Sequence, residues 1–202
     1  MKKAMTSPAT LTARATLSDK HRATLSGAVL GGIETLYQGQ RFLSVLSNDD
    51  YVALAAPHVS SSIGEHFRHW LDLFHAIRHA EGQDQATPNS DMNKIDYNVR
   101  RRGHPVERDC RVAEREIAQL VDWLCQLPPD VLEARVCVES EVMMSQRQVE
   151  EVESTLAREI TFAALHATHH FAMAKVVASL RGIEVESGFG LAPATATYQR
   201  AQ

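Results

Sequence analysis

The chain has 202 residues, 44% of them apolar, and its 21 Lys and Arg stand against 25 Asp and Glu for a formal charge of −4. That length can bury one core of ordinary size, and the mildly acidic balance excludes a nucleic-acid binder that works through bulk electrostatics. Ten His beside two Trp, four Tyr and six Phe are the anomaly a functional reading must explain.

Residues 1–21 open with Lys2 and Lys3, but Thr10, Thr12, Arg14 and Asp19 break any apolar run, so they read as a disordered leader. Leu25, Val29, Ile33, Leu36, Tyr37, Phe42, Leu43 and Leu46 then recur at three- and four-residue steps. This predicts a first helix over about 22–46, closed by Ser47-Asn48-Asp49-Asp50. Ser60-Ser61-Ser62 offers cap oxygens for a second helix, marked by Ile63, Phe67, Trp70, Leu71, Phe74 and Ile77 and closed near Gly82. It carries His66, His69, His75 and His79. Residues 81–104 lack periodicity and predict a long loop, which ends in the basic cluster Arg100-Arg101-Arg102.

A third helix is predicted from about Pro105 to Pro128-Pro129. Val131 to Val138 is rich in β-branched residues, and Glu141 to Val149 offers it a partner, which predicts a small hairpin. A fourth helix runs from about Ser154 to Arg181, stopped by Gly182, and Gly188 to Pro193 reads as extended. The expected fold is therefore all-α: a four-helix bundle over 22–197, with a long connection between its second and third helices, a small hairpin before the fourth, and a tail at 198–202.

Cys110, Cys125 and Cys137 lack CxxC spacing, which excludes a thiolate zinc site and a disulfide scaffold and suits a reducing compartment. The uncharged stretches 23–33 and 51–64 are too short to span a bilayer, so a cytoplasmic protein is expected.

The histidines concentrate on two helices. At about 100° per residue, His170 lies one turn above His166 on the same face, so both imidazoles can meet one ion. Glu159, Phe162, Met173, Val177 and Leu180 fall within about 40° of His166, which places it in a stripe facing the interior. His169 points away from that stripe. Neutral imidazoles suit zinc, nickel, copper or iron, and catalytic zinc commonly takes three protein ligands and leaves a position open. The second helix offers His66 near the centre of its apolar stripe and His69 at the edge. An HxxxH pair alone is more often a hydrogen-bonded pair of core residues than a metal site.

Ser62-Ile63-Gly64-Glu65-His66-Phe67-Arg68-His69-Trp70-Leu71-Asp72, then Asp96-Tyr97 with Arg100-Arg101-Arg102, Glu159, His166-Ala-Thr-His169-His170 and Phe189-Gly190-Leu191-Ala192-Pro193 resemble, in order and spacing, the DinB-like (DinB/YfiT) superfamily over about residues 23–197. The resemblance implies a four-helix bundle, often a homodimer, holding a divalent metal, usually zinc or nickel. One ligand comes from the second helix and two from an HxxxH in the last long helix; these positions match His69, His166 and His170. The stripe argument prefers His66, which stays as a neighbour or alternate ligand. Members with known activity include transferases and an isomerase that depend on bacillithiol or mycothiol. The related ergothioneine-synthase branch carries HxxxHxE, where this chain has Ala172.

The expected function is a metal-dependent enzyme acting on a small molecule, a thiol S-transferase or a hydrolase, with a low-molecular-weight thiol as a candidate co-substrate. Glu159 would orient an imidazole or act as a base, unless an Arg pairs with it. Tyr97, Arg100 and Arg101 would bind an anionic substrate, unless the basic run only ties down its loop. The alternative is a non-enzymatic dimeric regulatory or small-ligand-binding protein with a structural metal. No nucleic acid or membrane is expected as a partner.

Overall fold

A computed structural model describes residues 24–82 and 93–202; the predicted leader 1–21 and the 83–92 part of the predicted loop lie outside the described residues. Helix α1, Gly27–Leu43, is capped by the Ser26 hydroxyl, which accepts from Val29 N, and buries Val29, Ile33, Leu36, Phe42 and Leu43. Ser47 and Asp50 form a reciprocal capping box for the short helix α2, Asn48–Val52. The sequence reading took these residues only as a helix stop. Tyr51 of α2 is fully buried and donates to the carbonyl of Val106 at 2.6 Å.

Helix α3, Ile63–Glu81, begins at Ser62 with a capping box closed by Glu65. Its buried face carries Phe67, Trp70, Leu71, Phe74 and Ile77. Residues 105–107 form a 3-10 turn, and helix α4, Cys110–Gln126, follows with Asp109 as its cap. The longest helix, α5, Leu156–Leu180, starts at Thr155 and ends before Gly182, whose φ of 72° is the left-handed conformation that favours glycine. Helices α1 and α3 each pack against both α4 and α5. Small residues on α5, Ala163, Ala167, Ala174 and Ala178, let its neighbours approach closely.

The expected all-α bundle is corrected by a three-stranded mixed sheet. Strand β1, Asn93–Asp96, pairs in parallel with β2, Arg135–Glu141, which pairs antiparallel with β3, Val149–Thr155. Helices form the larger part of the fold, but the sheet packs against α3 and α5, with the side chains of Ile95 and Val136 buried. Strand β1 escapes a periodicity reading because four residues hold no pattern, and its partner lies some forty residues away, across α4. The predicted hairpin exists in a shifted register. Pro129 starts a 3-10 turn that takes up Val131 to Glu133, and the connection between strands falls at 142–148. The tail is also partly helical, as α6, Pro193–Arg200.

No helix among the described residues is long and apolar enough to cross a membrane.

The start of α3 lies so close to the 3-10 turn that a Cβ on Gly64 would collide with the carbonyl oxygen of Glu107 and sit 2.8 Å from the Tyr51 ring. Gly64→Ala should therefore lower stability by about 2 kcal/mol despite the better helix propensity of Ala. A shift of the urea unfolding midpoint to lower concentration measures it.

Candidate metal centre

The caps at Ser62 and Thr155 set where α3 and α5 begin, and with it the turns on which their histidines fall. Because the two helices pack side by side, the i, i+3 pair His66 and His69 meets the i, i+4 pair His166 and His170. His166 Nε2 lies 3.1 Å from His69 Nε2 and 3.1 Å from His170 Nε2. One ring nitrogen from each of His69, His166 and His170 lies within 4.8 Å of the others. A tetrahedral zinc ion with bonds of about 2.0–2.1 Å separates its nitrogen ligands by about 3.3 Å, so the observed spacing suits such an ion.

His66 stands behind this group. Its Nδ1 lies 3.1 Å from Nδ1 of His170, whose other nitrogen, Nε2, is the one beside His166. The structure thus brings His69 into the triad and leaves His66 outside it. The stripe argument misjudged the centre of α5: its buried line runs through Ala163, Ala167, Phe171 and Ala174, and His166 and His170 sit half-buried at its edge. Alanines made that line hard to see, since they add little to an apolar pattern but pack closely. His169 is exposed.

Burial, then Arg100 and His166, push His69 down to about 4. Burial, then His69 and His166, push His170 down to about 3. His166 and His66 are also lowered, chiefly by burial. The imidazoles are therefore neutral at pH 7, the state in which a ring nitrogen can ligate.

Two clefts reach the cluster. The larger, about 950 Å³, is lined by His69, His166, Tyr97, Asn98, Arg100 and Arg102, with Phe162 and the hairpin residues Val142, Met143 and Met144. The smaller, about 430 Å³, includes His66, His69, His170, Glu65, Glu107 and Arg102. The sheet builds one wall of the larger cleft: Tyr97 N donates to Glu139 O at 3.0 Å, and Glu141 N donates to Asn98 Oδ1 at 2.6 Å.

The other sequence-predicted residues divide by role. Arg100 lines the larger cleft, and its guanidinium donates to the carbonyls of Tyr97 and Val99. Tyr97 presents its ring there, but its hydroxyl donates to Glu159 at 2.8 Å. Burial and the Glu159 carboxylate raise the Tyr97 pKa far above its ordinary value. Glu159 is fully buried and also accepts from Ser154 Oγ at 2.6 Å and Arg158 Nη1 at 2.7 Å. Among the described residues no imidazole is a hydrogen-bond partner of Glu159, so it holds Tyr97 rather than a histidine ring.

Arg101 turns away from the larger cleft. It pairs with Asp72 at 2.5 Å and grips both oxygens of Glu116 at 3.0 and 2.9 Å. Burial pushes Glu116 up, but hydrogen bonds from His75 and Arg101 outweigh it and hold the carboxyl down at about 2. Arg68, missed by the sequence reading, joins Asp72 at 2.8 Å to Glu107 at 2.6 Å. Its i, i+4 spacing to Asp72 was the available signal.

No family model and no solved structure matches the chain. A curated relative is FK506-binding protein 5 of Rhizopus delemar, 27% identical over 108 residues. The match covers 54% of this chain and 28% of that protein, so the chain spans little more than a quarter of the relative's length. The functional argument therefore rests on the residues of the site.

Arg101→Met should cost about 2 kcal/mol, because it leaves the buried Asp72 with Arg68 and the buried Glu116 with His75 as their remaining partners, while leaving metal uptake by the triad intact. Chemical denaturation and a metal titration separate the two effects. The lowered imidazoles give a second expectation. An unfolded His titrates near 6.5, so between that value and the folded values of about 4 for His69 and about 3 for His170 the unfolded chain binds more protons. Stability of the metal-free protein is then full above about pH 6.5 and is lost as pH falls through that window. Thermal unfolding midpoints should drop on acidification, and drop less in a His69→Phe, His170→Phe double variant.

Proposed function

We propose that this protein is a divalent-metal-dependent enzyme of the DinB-like kind, a thiol S-transferase or a hydrolase, acting on small anionic molecules in the cytoplasm, as a homodimer. The observation that carries this reading is the convergence of His69, His166 and His170 nitrogens, with His69 and His166 at the wall of a cleft of about 950 Å³ and His170 at that of the smaller one. These three residues would hold zinc or nickel, and the neutral state of their rings at pH 7 favours binding. A divalent ion in such a site lowers the pKa of a water or thiol at an open position, giving a nucleophile at neutral pH.

The remaining residues supply binding and orientation. Arg100 and Arg102 bring positive charge to the cleft and would take the anionic group of a substrate. Phe162, Met143 and Met144 offer an apolar wall for its uncharged part. Tyr97, fixed through Glu159, shapes the cleft beside Phe162, whose ring centroid is 5.6 Å from those of both Tyr97 and His166. Against the structural-metal alternative stands the placement of His66, which faces the far nitrogen of His170 and so supplies no fourth ligand.

Purified without a His tag, the protein should carry about one divalent ion per chain, and His166→Ala and His170→Ala should abolish uptake. Mass spectrometry of the native protein reads this, and little metal after reconstitution with zinc or nickel overturns the reading. The loaded protein should conjugate a small thiol to a chromogenic electrophile, or hydrolyse an activated ester, faster than His166→Ala does. Equal rates in both assays would leave a metal site without an enzyme.

A further inference from the structure

His170 is engaged at both ring nitrogens: Nε2 lies 3.1 Å from His166 Nε2, and Nδ1 lies 3.1 Å from His66 Nδ1. A neutral imidazole carries one proton, and a nitrogen that ligates a metal must be bare. If Nε2, which faces the triad, is the ligating atom, the proton of His170 sits on Nδ1 and points at His66. His66 Nδ1 must then accept it, which leaves the proton of His66 on its own Nε2. That nitrogen is buried and has no hydrogen-bond partner among the described residues, so no donor there requires it to be bare. The opposite arrangement, with His66 donating from Nδ1, would force the proton of His170 onto Nε2 and block the triad.

We propose that His66 is a positioning residue: its Nδ1 accepts the Nδ1–H of His170 and fixes that ring in the tautomer whose Nε2 lone pair faces His69 and His166. This rests on the metal reading, and it extends the same tautomer to the metal-free protein, in which the two Nδ1 atoms already stand 3.1 Å apart. Metal-bound imidazoles commonly hand their second N–H to a carboxylate or a carbonyl. Here a second imidazole takes that part, while the nearby Glu65 carboxylate serves the start of α3, where it accepts from Ser62 N at 2.7 Å.

The test compares the wild type with His66→Phe, which keeps a ring but no acceptor, and His66→Asn, whose amide oxygen can take the place of Nδ1. Long-range nitrogen–proton NMR on ¹⁵N-histidine-labelled protein should find His170 as the Nδ1–H tautomer and His66 as Nε2–H. In His66→Phe, His170 should revert toward Nε2–H, and zinc affinity from chelator competition should weaken by about 10–100-fold. His66→Asn should restore affinity to near the wild-type level and return the cobalt absorption bands to their wild-type positions. An Nε2–H tautomer for His170 in the wild type overturns the proposal, as does unchanged zinc affinity in His66→Phe. If the wild type takes up no zinc at all, the functional reading falls and the tautomer measurement alone decides the proposal. Circular dichroism confirms folding, and a His66→Phe variant that fails to fold leaves the wild-type tautomer and the Asn variant as the deciding readouts.

Discussion

One guanidinium orders the functional end of this molecule. Arg101 bridges Asp72 of α3 and Glu116 of α4, two carboxylates buried on different helices, and its backbone N–H also binds Asp72. A charge buried without a partner is far costlier than an exposed one, so the segment bearing Arg101 has a single low-energy place to lie. Its neighbours in sequence follow: Tyr97 and Arg100 on one side, Arg102 and the turn at 105–107 on the other. Arg68 extends the clamp by tying Asp72 to Glu107. The segment 97–102 is thereby held beside His69 and His166.

The clamp also shapes the electrostatics of the cluster. Burial is the main force opposing protonation of His69 and His166, and the nearby charge of Arg100 works in the same direction. Four rings crowd together with Nε2···Nε2 and Nδ1···Nδ1 spacings of 3.1 Å, which neutral imidazoles tolerate and imidazolium ions would not. Fixed cations around neutral ligands make a region that welcomes an anion, and the larger cleft opens onto it.

Much of the helical part was legible. Ser62 and Gly82 bracket α3 where cap chemistry places them, and Gly182 stops α5. The HxxxH of α5 and the HxxH of α3 were visible as spacings, and their meeting followed from the packing of two apolar faces. What escaped had physical causes. Strand β1 is defined by a partner distant in sequence, and Pro129 displaced the hairpin by coiling residues assigned to its first strand. The role of Arg101 depended on Glu116, a carboxylate on another helix whose burial no local pattern reveals. The choice between His66 and His69 turned on which edge of a helix faces its neighbour. An Ala-rich packing line blurs that edge in the sequence.

The hairpin tip leads to a different point. Val142, Met143 and Met144 are exposed, line the larger cleft, and belong to the connection between β2 and β3. The atoms that would bind a metal and the atoms that would judge a substrate's shape thus reside on elements with separate structural obligations. Sequence drift at the tip can recast which molecules are admitted while the imidazoles, clamp and helix packing stay as they are, so this scaffold can diversify its selectivity without first giving up its stability.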